Sequence, residues 1–168
     1  MPKFSRILIT VGTTKFDQLI EIVNTKEFQS FIQKQYGCEY LAIQIGRGEI
    51  EPKAKVSNLT VETYRFKTDI ADDIKQADLI ISHCGAGSIM DVMKAGKPLI
   101  AVINDKLMDN HQNELADAMV QEGPYLFAVV SPGHLVREME KMNFSKLRSF
   151  SGIDFSPILN NVISYFDL

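Results

Sequence analysis

Cysteine is scarce in this chain. Cys38 and Cys84 are its two, and their spacing matches neither a metal-ligand motif nor a disulfide framework. A reducing, cytosolic setting is the expectation. Long apolar runs are missing too: stretches such as Leu79-Ile80-Ile81 are far too short to cross a bilayer. The opening Met1-Pro-Lys-Phe-Ser-Arg6 has no hydrophobic signal-peptide region and leads directly into a strand pattern. Net charge is only −3 and no basic stripe stands out, which argues against a nucleic-acid partner. There is no internal repeat and no low-complexity tract. No lysine follows the glycines in G-x-x-x-x-G-K fashion, which excludes a P-loop.

What is present is an ordinary globular composition, 45% hydrophobic and 23% charged. The 168 residues suit a single domain, 1–168, whose core needs no disulfides. Strand patterns cover 6–11, 39–45, 59–66, 78–82, 99–103 and 125–130. Helical spacing covers 16–24, 27–36, 69–76, 88–95 and 112–121, then runs from Pro132 to 141, with a C-terminal helix near 157–166. Polar loops fall at 49–58 and 104–110, and 143–156 is the least patterned part. This alternation predicts an α/β fold, a Rossmann-like parallel sheet with helices on both faces. Ligands of such sheets sit outside the strand C-terminal ends. Gly12, Gly46, Phe66, Gly85 and Asn104 all fall at or just after such ends, so one cleft can gather their loops.

The stretch from Ala77 to Asp91 is the most informative. It reads as a strand, a turn carrying Gly85 and Gly87, and a helix opening at Ser88. Glycines let the backbone approach a ligand closely, and a helix N-terminus offers unpaired N–H groups and partial positive charge. Gly85, Ala86, Gly87 and Ser88 therefore form a candidate phosphate seat. The alternative is a tight turn that needs glycine for geometry alone. It is not a full dinucleotide fingerprint, because Met90 stands in the third glycine's place and the turn lies mid-chain.

The neighbouring residues have two readings each. Ser88 caps the helix or bonds a phosphate oxygen. Asp91, expected on the first helical turn, accepts from two ribose hydroxyls or complements the helix dipole. His83 donates to a ligand oxygen or is a satisfied buried histidine. Thr13 and Thr14 touch phosphate or sugar, or cap the first helix. Arg47, between two glycines, faces the cleft or solvent. Asn110 is a candidate N-cap, with His111 and Gln112 on the first turn beyond it, and such groups suit paired recognition of sugar hydroxyls. Asp109, His111 and His83 have no metal-ligand spacing, and Cys84 suits packing better than nucleophilic chemistry.

Several motifs in order carry a resemblance. They are Ile9-Thr-Val-Gly-Thr-Thr14 with Phe16-Asp17, Gln44-Ile-Gly-Arg-Gly48, Ala77-Asp78 with Ser82-His-Cys-Gly-Ala-Gly-Ser88, Ala95-Gly-Lys-Pro98, and Asn110-His-Gln112 with Glu114-Leu-Ala116. Together they resemble the family 28 type of GT-B glycosyltransferases, and within it the Alg13-type subunits of UDP-N-acetylglucosamine transferase. The resemblance covers roughly residues 5 to 130.

The resemblance implies the C-terminal, donor-binding half of a GT-B enzyme, with the acceptor half in a separate membrane-anchored Alg14-type subunit. The implied function is a catalytic subunit that transfers N-acetylglucosamine from UDP-GlcNAc to N-acetylglucosaminyl-diphosphodolichol, the second sugar of the N-glycan precursor. The implied place is the cytosolic face of the endoplasmic reticulum, where the partner recruits an otherwise cytoplasmic chain. Carried over by residue, Gly85, Ala86, Gly87 and Ser88 bind the diphosphate, with Gly12, Thr13 and Thr14 lining the cleft floor. Asp91 stands where relatives often have Glu contacting the ribose. Phe66 and Lys67 frame the uracil through backbone groups, and Asn110, His111 and Gln112 read the sugar. Transfer is inverting, with no cofactor and no essential metal expected. The general base is His83 or a residue of the partner. Two other readings compete: a non-catalytic UDP-sugar-binding or scaffolding module, and a dehydrogenase domain. The latter would need a glycine fingerprint after the first strand, which Gly12-Thr13-Thr14 does not supply.

Overall fold

The structure is a computed structural model and describes residues 2–83, 85–104 and 129–144. Six parallel strands form one sheet: β1 (Arg6–Thr10), β2 (Tyr40–Gln44), β3 (Thr60–Tyr64), β4 (Leu79–His83), β5 (Leu99–Val102) and β6 (Val129–Val130). Their spatial order is β3-β2-β1-β4-β5-β6. The order reverses between β1 and β4, and that reversal opens the crevice where ligands of doubly wound sheets bind. The turns after β1 and β4 carry Gly12 and Gly85 and flank this point.

Side chains alternate across the pleat, so each strand supplies both faces. Ile7, Ile9, Leu41, Ile43, Leu79, Ile81, Ile100 and Val102 are buried in one core cluster. That cluster includes residues of α1 (Asp17–Val23), α2 (Lys26–Tyr36) and the helix Leu135–Lys141. On the other face Leu8, Ala42, Ile80 and Leu99 are buried, as are Ile74 of α3 (Ala71–Gln76) and Ile89, Val92 and Met93 of α4 (Ala86–Lys94). Leu135–Lys141 is α5, entered through a 3₁₀ turn at Pro132–His134. It is tied down where the Tyr36 hydroxyl donates to the Met139 carbonyl at 2.9 Å.

Local chemistry sets the helix limits. Thr25 caps α2 by accepting the Phe28 N–H at 3.1 Å, and Gly37 ends it in the left-handed conformation at φ 67°. α4 departs from expectation: it starts at Ala86 with Gly85 as N-cap, and among the described residues no side chain caps it. Ser88 therefore lies inside the first turn. Asp91 lies in the second turn and cannot serve the helix N-terminal charge in the way expected. Neither Thr13 nor Thr14 caps α1, whose N-cap is Phe16. The Thr14 hydroxyl instead donates to the Val11 carbonyl at 2.8 Å. Among the described residues, no helix is long and apolar enough to cross a membrane. The expected helices at 112–121 and 157–166 lie outside the described residues, as does Cys84.

Candidate functional site

The site grows from the end of β4. His83 closes the strand, Gly85 turns, and the N–H groups of Ala86, Gly87 and Ser88 open α4 with no side-chain cap among the described residues. The first-turn amides of a helix have no intrahelical acceptor, so these point donors and the positive end of the dipole at the sheet's switch point. The two glycines have different reasons to be there. A Cβ at Gly85 would overlap the His83 ring, with Nε2, Cδ2 and Cε1 all within 3.0 Å. Among the described residues, a Cβ at Gly87 would meet nothing within 4 Å. The protein's own packing demands the first glycine, whereas no described residue fills the space a side chain at the second would take.

The turn after β1 faces this seat. Gly12 has φ 61°, and a Cβ there would stand 2.9 Å from His83 Cε1 and 3.6 Å from Ser88 Oγ. Gly12 N–H donates to Thr10 Oγ1 at 3.0 Å, and the buried Thr10 hydroxyl donates to Gln44 Oε1. The structure thus brings Gly12, His83, Gly85 and Ser88 together, with Thr13 and Thr14 exposed on the rim. Burial lowers the pKa of His83 below its ordinary 6.5, while a hydrogen bond to the Thr10 backbone pulls the other way. The imidazole is therefore neutral at neutral pH, with one nitrogen free of a proton.

One turn further, Asp91 is exposed and shares a helix face with Gly87 and Ser88 through the i, i+3 and i+4 relation. With Lys94, Ala95, Asp69, Ala71 and Ile74 it lines a groove of about 330 Å³ between α3 and α4. The helix rises about 1.5 Å per residue, so the step from the amides at its start to Asp91 suits a nucleoside diphosphate lying along this face.

Phe66 and Lys67 sit beyond β3, upstream of the groove. Phe66 is 52% exposed. The Lys67 ammonium is committed elsewhere: it bonds Asp73 Oδ2 at 2.8 Å and lies 4.0 Å from the Tyr64 ring centroid. Tyr64 also donates to Asp73 at 2.7 Å. Burial pushes the Asp73 carboxyl up, but the bonds from Lys67 and Tyr64 more than offset this and hold it below its usual range. Asp69, Lys94 and Ala95 were not among the site residues expected from sequence; Asp69 Oδ1 accepts the Ala71 N–H at 2.7 Å, just ahead of α3, whose N-cap is Ile70. Asn110, His111 and Gln112 lie outside the described residues.

A family model described as Glycosyltransferase family 28 C-terminal domain matches residues 6–155. The chain belongs to that family. This family 28 domain is 45% identical over 118 residues to the human UDP-N-acetylglucosamine transferase subunit ALG13, covering 70% of this chain. It spans about a tenth of the length of the human and mouse relatives (10% of each). The Saccharomyces cerevisiae subunit of the same name is 32% identical over 154 residues, covering 88% of this chain and 72% of the relative. The NMR solution structure of ALG13 superposes with a TM-score of 0.68 at 27% identity, covering 96% of this chain and 95% of that one. As a family 28 C-terminal domain, the chain carries the expected GT-B half-fold, and the uncapped α4 turn is the feature on which a ligand assignment rests.

Proposed function

We propose that this chain is the donor-binding, catalytic subunit of a two-chain UDP-N-acetylglucosamine transferase. It adds the second N-acetylglucosamine to N-acetylglucosaminyl-diphosphodolichol. The acceptor half comes from a membrane-anchored Alg14-type partner, which recruits the chain to the cytosolic face of the endoplasmic reticulum. The observation that carries this reading is the open, uncapped N-terminus of α4 at Ala86, Gly87 and Ser88, continuous along one helix face with Asp91 and its groove. Family membership supports it.

In this reading the α4 amides hold the UDP diphosphate and Asp91 accepts from the ribose hydroxyls. The uracil enters the groove near Asp69 and Ala71, with backbone groups at Phe66 and Lys67 framing it. Asn110, His111 and Gln112 read the sugar hydroxyls. The acceptor hydroxyl attacks the anomeric carbon, the bond to the UDP oxygen breaks, and configuration inverts. Negative charge grows on the departing diphosphate, where fixed amides and the helix dipole stabilise it without reorganising. That role needs no metal. The acceptor's proton goes to a general base, either neutral His83 or a group on the partner.

Thermal stabilisation by UDP-GlcNAc but not by NAD tests donor binding, since only a ligand of the native state raises stability. Sugar transfer to a diphosphate-linked acceptor after adding the membrane subunit tests catalysis. Donor binding without any transfer by the pair would leave a UDP-sugar-binding module instead.

A further inference from the structure

The turn after β2 presents a single cation on an unusually constrained backbone. Gly46 and Gly48 are buried and Arg47 between them is exposed. Gly46 has φ 56°, and a Cβ there would fall on the Thr14 carbonyl oxygen and within 2.9 Å of the Gly12 carbonyl. A Cβ at Gly48 would stand 2.5 Å from Asp17 Oδ1. Arg47 N–H donates to the Thr14 carbonyl at 3.0 Å, and Gly48 N–H to the Ile45 carbonyl at 3.0 Å. The Arg65 guanidinium clamps both flanking carbonyls, Gly46 at 3.2 Å and Gly48 at 2.6 Å.

The acidic side chains around this turn are already engaged. Asp17 Oδ1 accepts the Glu49 N–H at 3.0 Å, and its other oxygen lies 3.4 Å from Lys15 Nζ. Glu49 pairs with Lys15 at 2.6 Å, and Glu51 lies 3.5 Å from Arg65. No carboxylate pairs with the Arg47 guanidinium among the described residues. Both neighbouring turns thus hold, at the C-terminal edge of the sheet, a guanidinium that has no carboxylate partner among the described residues. It packs by its backbone against the same Gly12–Thr14 turn that borders the phosphate seat. β2 is two strands from β4, so the two sites are set apart by about 10 Å along the edge.

A planar guanidinium favours bidentate binding of phosphate oxygens. We infer that Arg47 is a second anion site, separate from the α4 seat, and that it holds the diphosphate of the acceptor lipid while the reacting sugars lie between the two sites. This rests on the transferase reading for the identity of the anion, not for the presence of the site.

The test uses the full chain with its membrane partner, in parent, Arg47→Gln and Arg47→Lys forms. The probe is a short-chain isoprenyl-diphosphate-linked N-acetylglucosamine, with a neutral-linker version as control, and binding is measured with and without UDP. Arg47 is exposed and makes no side-chain bond among the described residues, so the melting temperature should stay unchanged. Arg47→Gln is expected to weaken the diphosphate probe at least tenfold and flatten its salt dependence, with Arg47→Lys intermediate. The neutral probe and UDP-GlcNAc should bind parent and variant within twofold of each other. An unchanged affinity for the diphosphate probe overturns the inference, and so does a loss confined to UDP-GlcNAc. A parent that binds the diphosphate probe through Arg47 but ignores UDP-GlcNAc would sink the donor reading and leave the anion site standing.

Discussion

The His83 imidazole occupies the space that a side chain at Gly85 would need, with three ring atoms within 3.0 Å of the position a Cβ would take. The same ring abuts Gly12, so one side chain sets the spacing of the two turns that flank the sheet's switch point. Gly85→Ala must displace this ring. Overpacking of this kind costs about 1–3 kcal/mol, and the double variant Gly85→Ala/His83→Ala should recover much of it. Urea midpoints for the four proteins of the cycle check this. Additive losses would mean that the two residues do not compete for the space.

Gly87 should behave in the opposite way. No described residue comes within 4 Å of a Cβ placed there, and an acidic residue in the first turn of a helix is favourable by about 0.3–1 kcal/mol. Gly87→Asp should therefore keep or slightly raise the melting temperature while weakening UDP-GlcNAc at least tenfold, because a carboxylate would face the diphosphate. Calorimetric titration beside a thermal melt separates the two effects. Retained nucleotide affinity would count against the phosphate seat.

Asp91 sits in the second turn, away from the helix N-terminus, so neither dipole nor cap explains it. Asp91→Ala should leave stability within about 0.5 kcal/mol, as for other exposed sites. It should weaken UDP roughly tenfold and abolish the preference for UDP over 2′-deoxy-UDP. If that preference persists in the variant, the ribose is held elsewhere.

His83 also predicts a pH dependence. Its folded pKa lies below the ordinary 6.5 because burial disfavours the imidazolium. Below 6.5 the unfolded chain takes up a proton that the folded chain refuses. Stability from this group is therefore complete above 6.5 and is lost as pH falls towards the folded value. Chemical denaturation at a series of pH values should show this slope in the parent and lose it in His83→Asn. The Asp73 carboxyl, held low by Lys67 and Tyr64, adds a separate acid limb that His83→Asn leaves in place: its contribution is present above the ordinary carboxylate pKa and lost as pH falls through the lowered one.

The strands were legible because alternation, β-branching and glycine ends agree: 6–11, 39–45 and 59–66 meet Arg6–Thr10, Tyr40–Gln44 and Thr60–Tyr64. The start of α4 was not, because serine is the stronger N-cap by preference and Ser88 drew the boundary two residues late. A glycine cap leaves no side-chain signature, and the proposed phosphate seat rests on that missing cap. The capture of the Lys67 ammonium by Asp73, six residues on in α3, has no local sequence signature. The Arg65 clamp on Gly46 and Gly48 depends on β3 lying beside β2, and no local pattern encodes that pairing.

The most direct measurement is an amide NMR titration of the full chain with UDP. The largest shifts should fall on the N–H groups of Ala86, Gly87 and Ser88, saturating together with Asp91. If UDP saturates the protein while those amides stay unmoved, the diphosphate is bound somewhere else and the helix terminus is not its seat.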